Sequence, residues 1–345
     1  MKNSTLLAID LAKTHFQVCK LLPDDTEHSN KQIGRAALTK LLSTHKPALV
    51  AMESCGGAHH WARLAKSFGH TVKLIHPKAV KGLLVGQKTD KNDAFAIAVA
   101  ARMAHLRSCA ILTPENQGAQ ALQRARKLQV DQRTALINQI RGFLLEFGLP
   151  IAQGNSKLIK SVPEILEDAE NGLPDVFRQV LLAQHTMLEV HNKQVEHYDK
   201  QINLQVRLNP TCVKLCKLEG VGPIGALALS VRLNDGSEFV KGRDASACIG
   251  LTPKQHSSGG KTRLGHISKH NGDSQLRSLL FQGAMSVVKN VAKKTATTEK
   301  GLWLQNLIAR RGKKVAAIAL ANKTVRTALA LIKNDTEYKP VMLLV

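Results

Sequence analysis

"TLLAIDLAKTHFQVCKLL", residues 5–22, decides the fold. Its first half is a short apolar run that ends in an acid, Asp10. From His15 onward, apolar and polar residues alternate as in a half-buried strand. "ALTKLLSTHK" (37–46) then has helical spacing, and "ALVAMES" (48–54) is a buried-type strand ending in a second acid, Glu53. "GAHHWARLAKSFG" (57–69) reads as a helix closed by Gly69, and "TVKLIHP" (71–77) as a strand stopped by Pro77. Residues 1–105 therefore read strand, strand, strand, helix, strand, helix, strand, helix. That order predicts an α/β domain built on a mixed sheet.

Outward from this block the pattern becomes helical. Residues 113–148 form a long polar-apolar helix with Pro114 near its start and Gly148 at its end. Residues 176–206 carry apolar positions at three- and four-residue steps without Gly or Pro, which suits an antiparallel helical hairpin or coiled coil. Pro210 opens a third, mostly helical region. The expected domains are 1–148, a helical connector 149–208, and 209–345.

Composition narrows the function classes. Lys and Arg number 49 against 26 Asp and Glu, and residues 241–345 alone hold 19 bases against 5 acids. Such asymmetry favours a polyanionic partner, most simply nucleic acid. Aromatic residues are only 3%, so stacking cannot be the main binding mode and phosphate contacts must carry it. No apolar run in the sequence approaches the ~20 residues that cross a bilayer, and the N-terminus does not read as a secretory signal. The six cysteines show no CxxC pair, which argues against a disulfide framework or zinc ribbon and for reduced thiols in the cytoplasm.

Four carboxylates stand out by position. Asp10 and Glu53 end strands, while Asp90 and Asp93 in "KTDKNDAFAIAVAARMA" sit three residues apart on one helix face. Acids gathered at one sheet edge repel one another unless cations neutralise them, and oxygen ligands suit Mg²⁺ or Mn²⁺. Taken singly, Asp90 and Asp93 read equally well as an N-cap and a first-turn acid.

"AIDLAK", "AMESCGG" and "KTDKNDA", followed by "LEGVGPIGALAL" and "ACIGLTPKQHSSGGKTRLGHISKHNGDSQLRSLLF", resemble the DEDD insertion-sequence transposases related to the Piv pilin-gene invertase, the bridge-RNA-guided recombinases. The resemblance covers nearly the whole chain. It implies a RuvC-like, RNase H-type first domain with Asp10, Glu53, Asp90 and Asp93 as catalytic metal ligands. Also implied is a transposase domain in which a serine attacks DNA and forms a covalent phosphoserine link. Aligned on "GLTP…SG", that serine is Ser258, with Ser257 the neighbour most easily confused with it. Implied partners are donor and target DNA, a structured bridge RNA, and further copies of the chain, as dimers assembling to a tetramer; no membrane is expected. The implied location is the bacterial cytoplasm, at the nucleoid. Two other readings of the residues stay open, a hydrolytic RuvC-like nuclease or junction resolvase and a non-catalytic nucleic-acid scaffold.

Further residues are candidates for nucleic-acid contact. "LEGVGPIGA" (218–226) resembles the turn of a helix-hairpin-helix, in which Gly220 and Gly222 would let backbone approach a phosphate. Around the serine segment, expected as a loop, lie Lys254, Lys261, Arg263 and Lys269. Arg310, Arg311, Lys313 and Lys314 form a basic cluster ahead of an amphipathic helix running to 333. His266 and His270 have HxxxH spacing, which can bind zinc on a helix, but no third ligand is evident and phosphate contact or plain surface fits better.

Overall fold

The computed structural model describes residues 4–268 and 271–343. Strands β1 (Leu6–Asp10), β2 (His15–Leu21) and β3 (Glu27–Gly34) form an antiparallel meander. Helix α1 (Arg35–Thr44) leads to β4 (Leu49–Glu53), and α2 (Ala58–Ser67) leads to β5 (Thr71–Ile75), both strands joining parallel to the neighbour before them. The sheet order is β3-β2-β1-β4-β5, the RNase H-type arrangement that the sequence implied.

β1 is apolar on both sides because the sheet is covered on both faces. Leu6 and Ala8 pack with Ala94, Ile97, Ala98 and Ala101 of α4 (Asp90–Arg102). Leu7 and Ile9 pack on the other face with Leu38, Leu42, Trp61 and Ala65 from α1 and α2. One short helix, α3 (Pro77–Lys81), escaped the sequence reading. Pro77 does stop β5, but it also occupies a first-turn position where a missing N–H costs nothing.

The remaining elements are α5 (Pro114–Glu146), α6 (Asn155–Glu167), α7 (Asp175–Leu208), α8 (Pro210–Cys216), α9 (Pro223–Leu233) and α10 (Gly242–Ile249). A two-stranded hairpin follows, β6 (Gln255–Ser258) and β7 (Lys261–Leu264), then α11 (Ser274–Val291) and α12 (Glu299–Asn334). Compactness divides the chain into Met1–Pro114 with Asn234–Val240, and Glu115–Leu233 with Lys241–Val345. The division falls earlier than the expected boundary at 148. The reason is that Ile140 and Leu144 of α5 bury against Leu158 and Val162 of α6 and Leu181 and Leu188 of α7, not against the sheet.

α7 is one continuous helix of 34 residues, so it does not fold back on itself as a hairpin. Its antiparallel partner is α5. Arg126 pairs with Asp199 at 2.5 Å, Arg133 donates to Asn192, and Gln184 donates to Gln139, so positions rising along α5 fall along α7.

α12 is broken at Gly312, whose φ of 79° lies in the left-handed region. By length and composition α12 could cross a membrane, but half of its apolar window is buried inside the protein. Leu304, Leu320, Val325 and Leu329 are core residues of this unit.

Gly220 and Gly283 meet backbone to backbone. A Cβ on Gly283 would stand 1.9 Å from the Gly220 carbonyl oxygen, so neither position has room for a side chain. Gly283→Ala is expected to cost about 1–3 kcal/mol through overpacking. Gly118→Ala, in open space on α5, is expected to stabilise by roughly 0.5–1 kcal/mol through helix propensity. Urea unfolding of the two variants should move in opposite directions.

Candidate active site and nucleic-acid interface

Asp10 and Glu53 stand at the same ends of adjacent parallel strands, one residue past the Ile9–Met52 pair. Asp90 and Asp93 occupy the first turn of α4, which Thr89 caps by accepting from the Asn92 N–H. The four acids feel one another. Burial pushes the Asp10 carboxyl from its ordinary value of 3.8 up to about 6, with Asp93, Asp90 and Glu53 adding to the rise. Burial, then Asp93, also raises Glu53. Lys88 opposes both shifts. It is a site residue that the sequence reading missed, although it lies two positions before Asp90.

A relay of side chains fixes α4 to the sheet. Gln17, directly across from Asp10 in β2, is buried and donates to Asn30 of β3 at 2.7 Å. Asn30 in turn donates to the main-chain carbonyl of Lys91 at 3.1 Å. That carbonyl lies between Asp90 and Asp93 in sequence, so the relay anchors the turn that carries them.

An oxygen-only donor set with uncompensated negative charge fits a hard divalent cation. Among the described residues, no three His, Cys, Asp or Glu side chains converge as a closed metal shell. The two observations are compatible, because carboxylates influence each other's ionisation at ~4–6 Å while ligand oxygens must reach ~2.0–2.6 Å.

Ser257 and Ser258 lie in a strand of a β-hairpin, not in a loop. Gly259 and Gly260 both have positive φ, 55° and 74°, which a two-residue hairpin turn requires. Pairing puts Ser258 opposite Lys261 and His256 opposite Arg263. Residues directly opposite in a hairpin share a face, and alternate residues share it too. One face therefore carries Ser258, His256, Lys261 and Arg263; the other carries Ser257, Gln255, Thr262 and Leu264. The Ser257 hydroxyl accepts from Gln255 at 3.1 Å and contacts Thr262 at 3.5 Å. Among the described residues, no hydrogen bond engages the Ser258 hydroxyl, and the residue is exposed.

Elsewhere the expected contact residues fare differently. Gly220 spends its left-handed φ on packing against α11, whereas Gly222, just ahead of α9, has open space around it. Glu219 in the same turn is held by Lys300 and by the Tyr338 hydroxyl at 2.6–2.7 Å, and these bonds pull its carboxyl below the ordinary value against the cost of burial. Lys254, Lys261 and Arg263 are exposed on the hairpin, and Arg310, Arg311, Lys313 and Lys314 are exposed around the Gly312 break. His266 lies in non-helical backbone. Lys269 and His270 lie outside the described residues. All six cysteines are free thiols.

Residues 7–148 match the DEDD transposase family of IS110 type, and residues 212–298 match the transposase IS116/IS110/IS902 family. The chain is 39% identical to a probable family 20 transposase of Pseudomonas aeruginosa, covering 98% of this chain and 99% of that one. It is 38% identical to the transposase for insertion sequence element IS1111A of Coxiella burnetii, covering 98% and 92%. A more distant relative is the pilin gene-inverting protein of Moraxella bovis, 23% identical over 83% of each chain.

Because the folded Asp10 carboxyl titrates near 6 rather than 3.8, the folded state gains from protonation below pH 3.8 and loses that gain as pH rises through 6. Asp10→Asn is thus expected to stabilise the fold at pH 8 without divalent ions by about 1 kcal/mol after discounting for solvent screening, and so to raise the melting temperature. The advantage should vanish near pH 4. Added Mg²⁺ should raise the melting temperature of the parent protein more than that of the variant. Thermal melts at both pH values, with and without metal, check all of this.

Proposed function

The chain belongs to the IS116/IS110/IS902 family of transposases, and from that premise we propose that it cuts and rejoins DNA through a covalent link to Ser258 under the guidance of a structured RNA. The observation that carries Ser258 is the division of the hairpin into two faces. Ser258 shares its face with Lys261, Arg263 and His256, while Ser257 points to the polar, hydrogen-bonded side. A phosphate seated on the cationic face meets the Ser258 hydroxyl and not that of Ser257.

In the proposed step, a bond forms between Ser258 Oγ and phosphorus as one P–O ester bond of the DNA backbone breaks. The proton lost by the serine balances the one gained by the departing oxygen. Attack by the hydroxyl of another strand reverses the chemistry, restores the serine and reseals the backbone without an external energy source. Lys261 and Arg263 stabilise charge on the phosphate. Asp10, Glu53, Asp90 and Asp93 would hold Mg²⁺ or Mn²⁺, which when bound neutralises charge and polarises the scissile phosphate. Residues 149–208 would act as a helical connector between the metal-binding part, 1–148, and the transposase part, 209–345.

RNA guidance rests on what the surface lacks as well as on the family. A chain with net charge +23 and 3% aromatic residues is equipped to grip backbones, and base pairing can supply the sequence discrimination. The acids and Ser258 belong to different compact units, and we propose that further copies, as dimers joined into a tetramer, take part in assembling the working complex on donor and target DNA.

On a denaturing gel with nicked DNA substrate, the parent protein is expected to leave a protein–DNA adduct. Ser258→Ala should lose it and Ser257→Ala should keep it. Free cut ends without adduct would identify a hydrolytic nuclease instead. Asp10→Ala should lose recombination and retain RNA that copurifies with the protein. DNA affinity should fall by roughly 10³-fold between 50 and 200 mM salt if about six phosphates are engaged.

A further inference from the structure

A groove of about 1270 Å³ lies at the foot of the Ser258 hairpin, between the hairpin's base and the second half of α12. Trp303 reaches its side because of the Gly312 break. Trp303 and Lys323 are twenty residues apart on α12, which in a straight helix would separate them by ~30 Å. Yet the Lys323 ammonium sits 4.6 Å from the centre of the Trp303 ring. The helix must fold back at Gly312 for this to happen, and the fold-back brings an indole to the side of the groove.

The lining divides by chemistry. Leu251, Ile267, Ile318, Ala319 and Leu264 make an apolar floor and wall, with Leu264 70% exposed. Arg311, Lys314, Lys323 and Arg326 line the same groove and are exposed. No acid lines it among the described residues. An apolar floor under a rim of four cations is complementary to an anionic chain with flat apolar groups attached. Those flat groups are accessible only where the strands are unpaired. Trp303 is one of two tryptophans in the chain, and the other, Trp61, is 3% exposed in the core beside Phe16.

We propose that this groove binds a single-stranded stretch of the DNA flanking the cut, with a base stacked on Trp303 and neighbouring phosphates on Arg311, Lys314, Lys323 and Arg326. This inference rests on the reading of Ser258 as the residue that attacks DNA, and it adds the place where the attacked strand is held open. Leu264 at the groove pairs with Gln255, three residues along β6 from Ser258. Three residues of strand span ~10 Å, about three stacked base steps. The hairpin's two faces then have separate tasks: Ser258 with its cations meets the phosphate, while Leu264 walls the groove that holds a nearby base.

The test uses the full chain with Trp61→Phe, so that Trp303 is the only indole reporter. Titration with a single-stranded thymidine oligonucleotide is expected to quench its fluorescence saturably. The matching duplex and a uridine oligoribonucleotide should quench at least about fivefold less effectively. Lys323→Gln with Arg326→Gln, both on exposed positions, should weaken single-strand binding by roughly tenfold and flatten its salt dependence by about 1.4 in log–log slope, two phosphates at 0.7 each. Trp303→Leu should weaken it by about tenfold as well, the size of one lost stacking contact. Equal quenching by duplex, or stronger quenching by the RNA, would overturn the proposal. So would unchanged Trp303 fluorescence while anisotropy shows the single strand bound. None of those results would touch the covalent adduct, whose loss in Ser258→Ala is read separately.

Discussion

The sheet-bearing unit is organised around a repulsion. Two central parallel strands end in carboxylates at the same edge, and a helix brings two more acids to them. Left alone, four negative groups would drive their own supports apart. Burial first, and then its three acidic neighbours, raise the Asp10 pKa to about 6. What resists the strain is backbone: β1 lies between β2 and β4 in the middle of a five-stranded sheet, and α4 is sealed to that sheet by a run of alanines and Ile97. The Gln17–Asn30–Lys91 relay adds a polar tether at the point where the acids enter. A buried amide such as Gln17 would be costly without a partner. Here its partner also sets the position of α4, so the cost of desolvation is turned into registry. Lys88 opposes the rise in the Asp10 pKa, and a hard cation would do so more completely.

Much of this was legible in the sequence, for identifiable reasons. Strands buried on both faces leave unbroken apolar runs, and an acid at the end of such a run has few positions open to it except a strand end. Hence β1, β4, Asp10 and Glu53 could be placed from "LLAID" and "LVAME" alone. Asp90 and Asp93 were placed by their three-residue spacing at a helix start, although the cap is Thr89 and not Asp90. The relay was not legible, because Gln17 and Asn30 are unremarkable residues in strand patterns and meet only through the β2–β3 register. The partner of α7 was hidden for a similar reason. Its periodicity gives an apolar stripe but does not say which stripe it meets, and the polar pairs with α5 span 45 to 73 residues of sequence.

The serine segment shows a different limit. Glycine pairs and serines suggest a loop, and composition alone does not distinguish a loop from a short exposed hairpin. Pairing makes the distinction, and with it comes an assignment of faces that spacing could not supply. Adjacent serines in a strand necessarily point opposite ways. One of them can be a nucleophile beside cations, and its neighbour is then turned toward different surroundings by geometry alone.

The basic half of the chain follows from how a low-aromatic surface can hold nucleic acid. Cations on exposed helices and hairpins grip phosphate without reading bases, which suits the proposed delegation of sequence discrimination to a paired RNA. Such a surface has no means of keeping strands apart once they separate, because unpaired bases restack or re-pair unless something apolar receives them. One indole at the foot of the Ser258 hairpin would be enough to receive a base. It is there because a glycine breaks α12 and folds Trp303 back onto Lys323. A straight α12 would keep the same composition, the same charge and the same apolar stripe, yet it would carry the indole ~30 Å away from its lysine. The capacity to hold an unpaired base near the cut would therefore depend on one backbone torsion at Gly312.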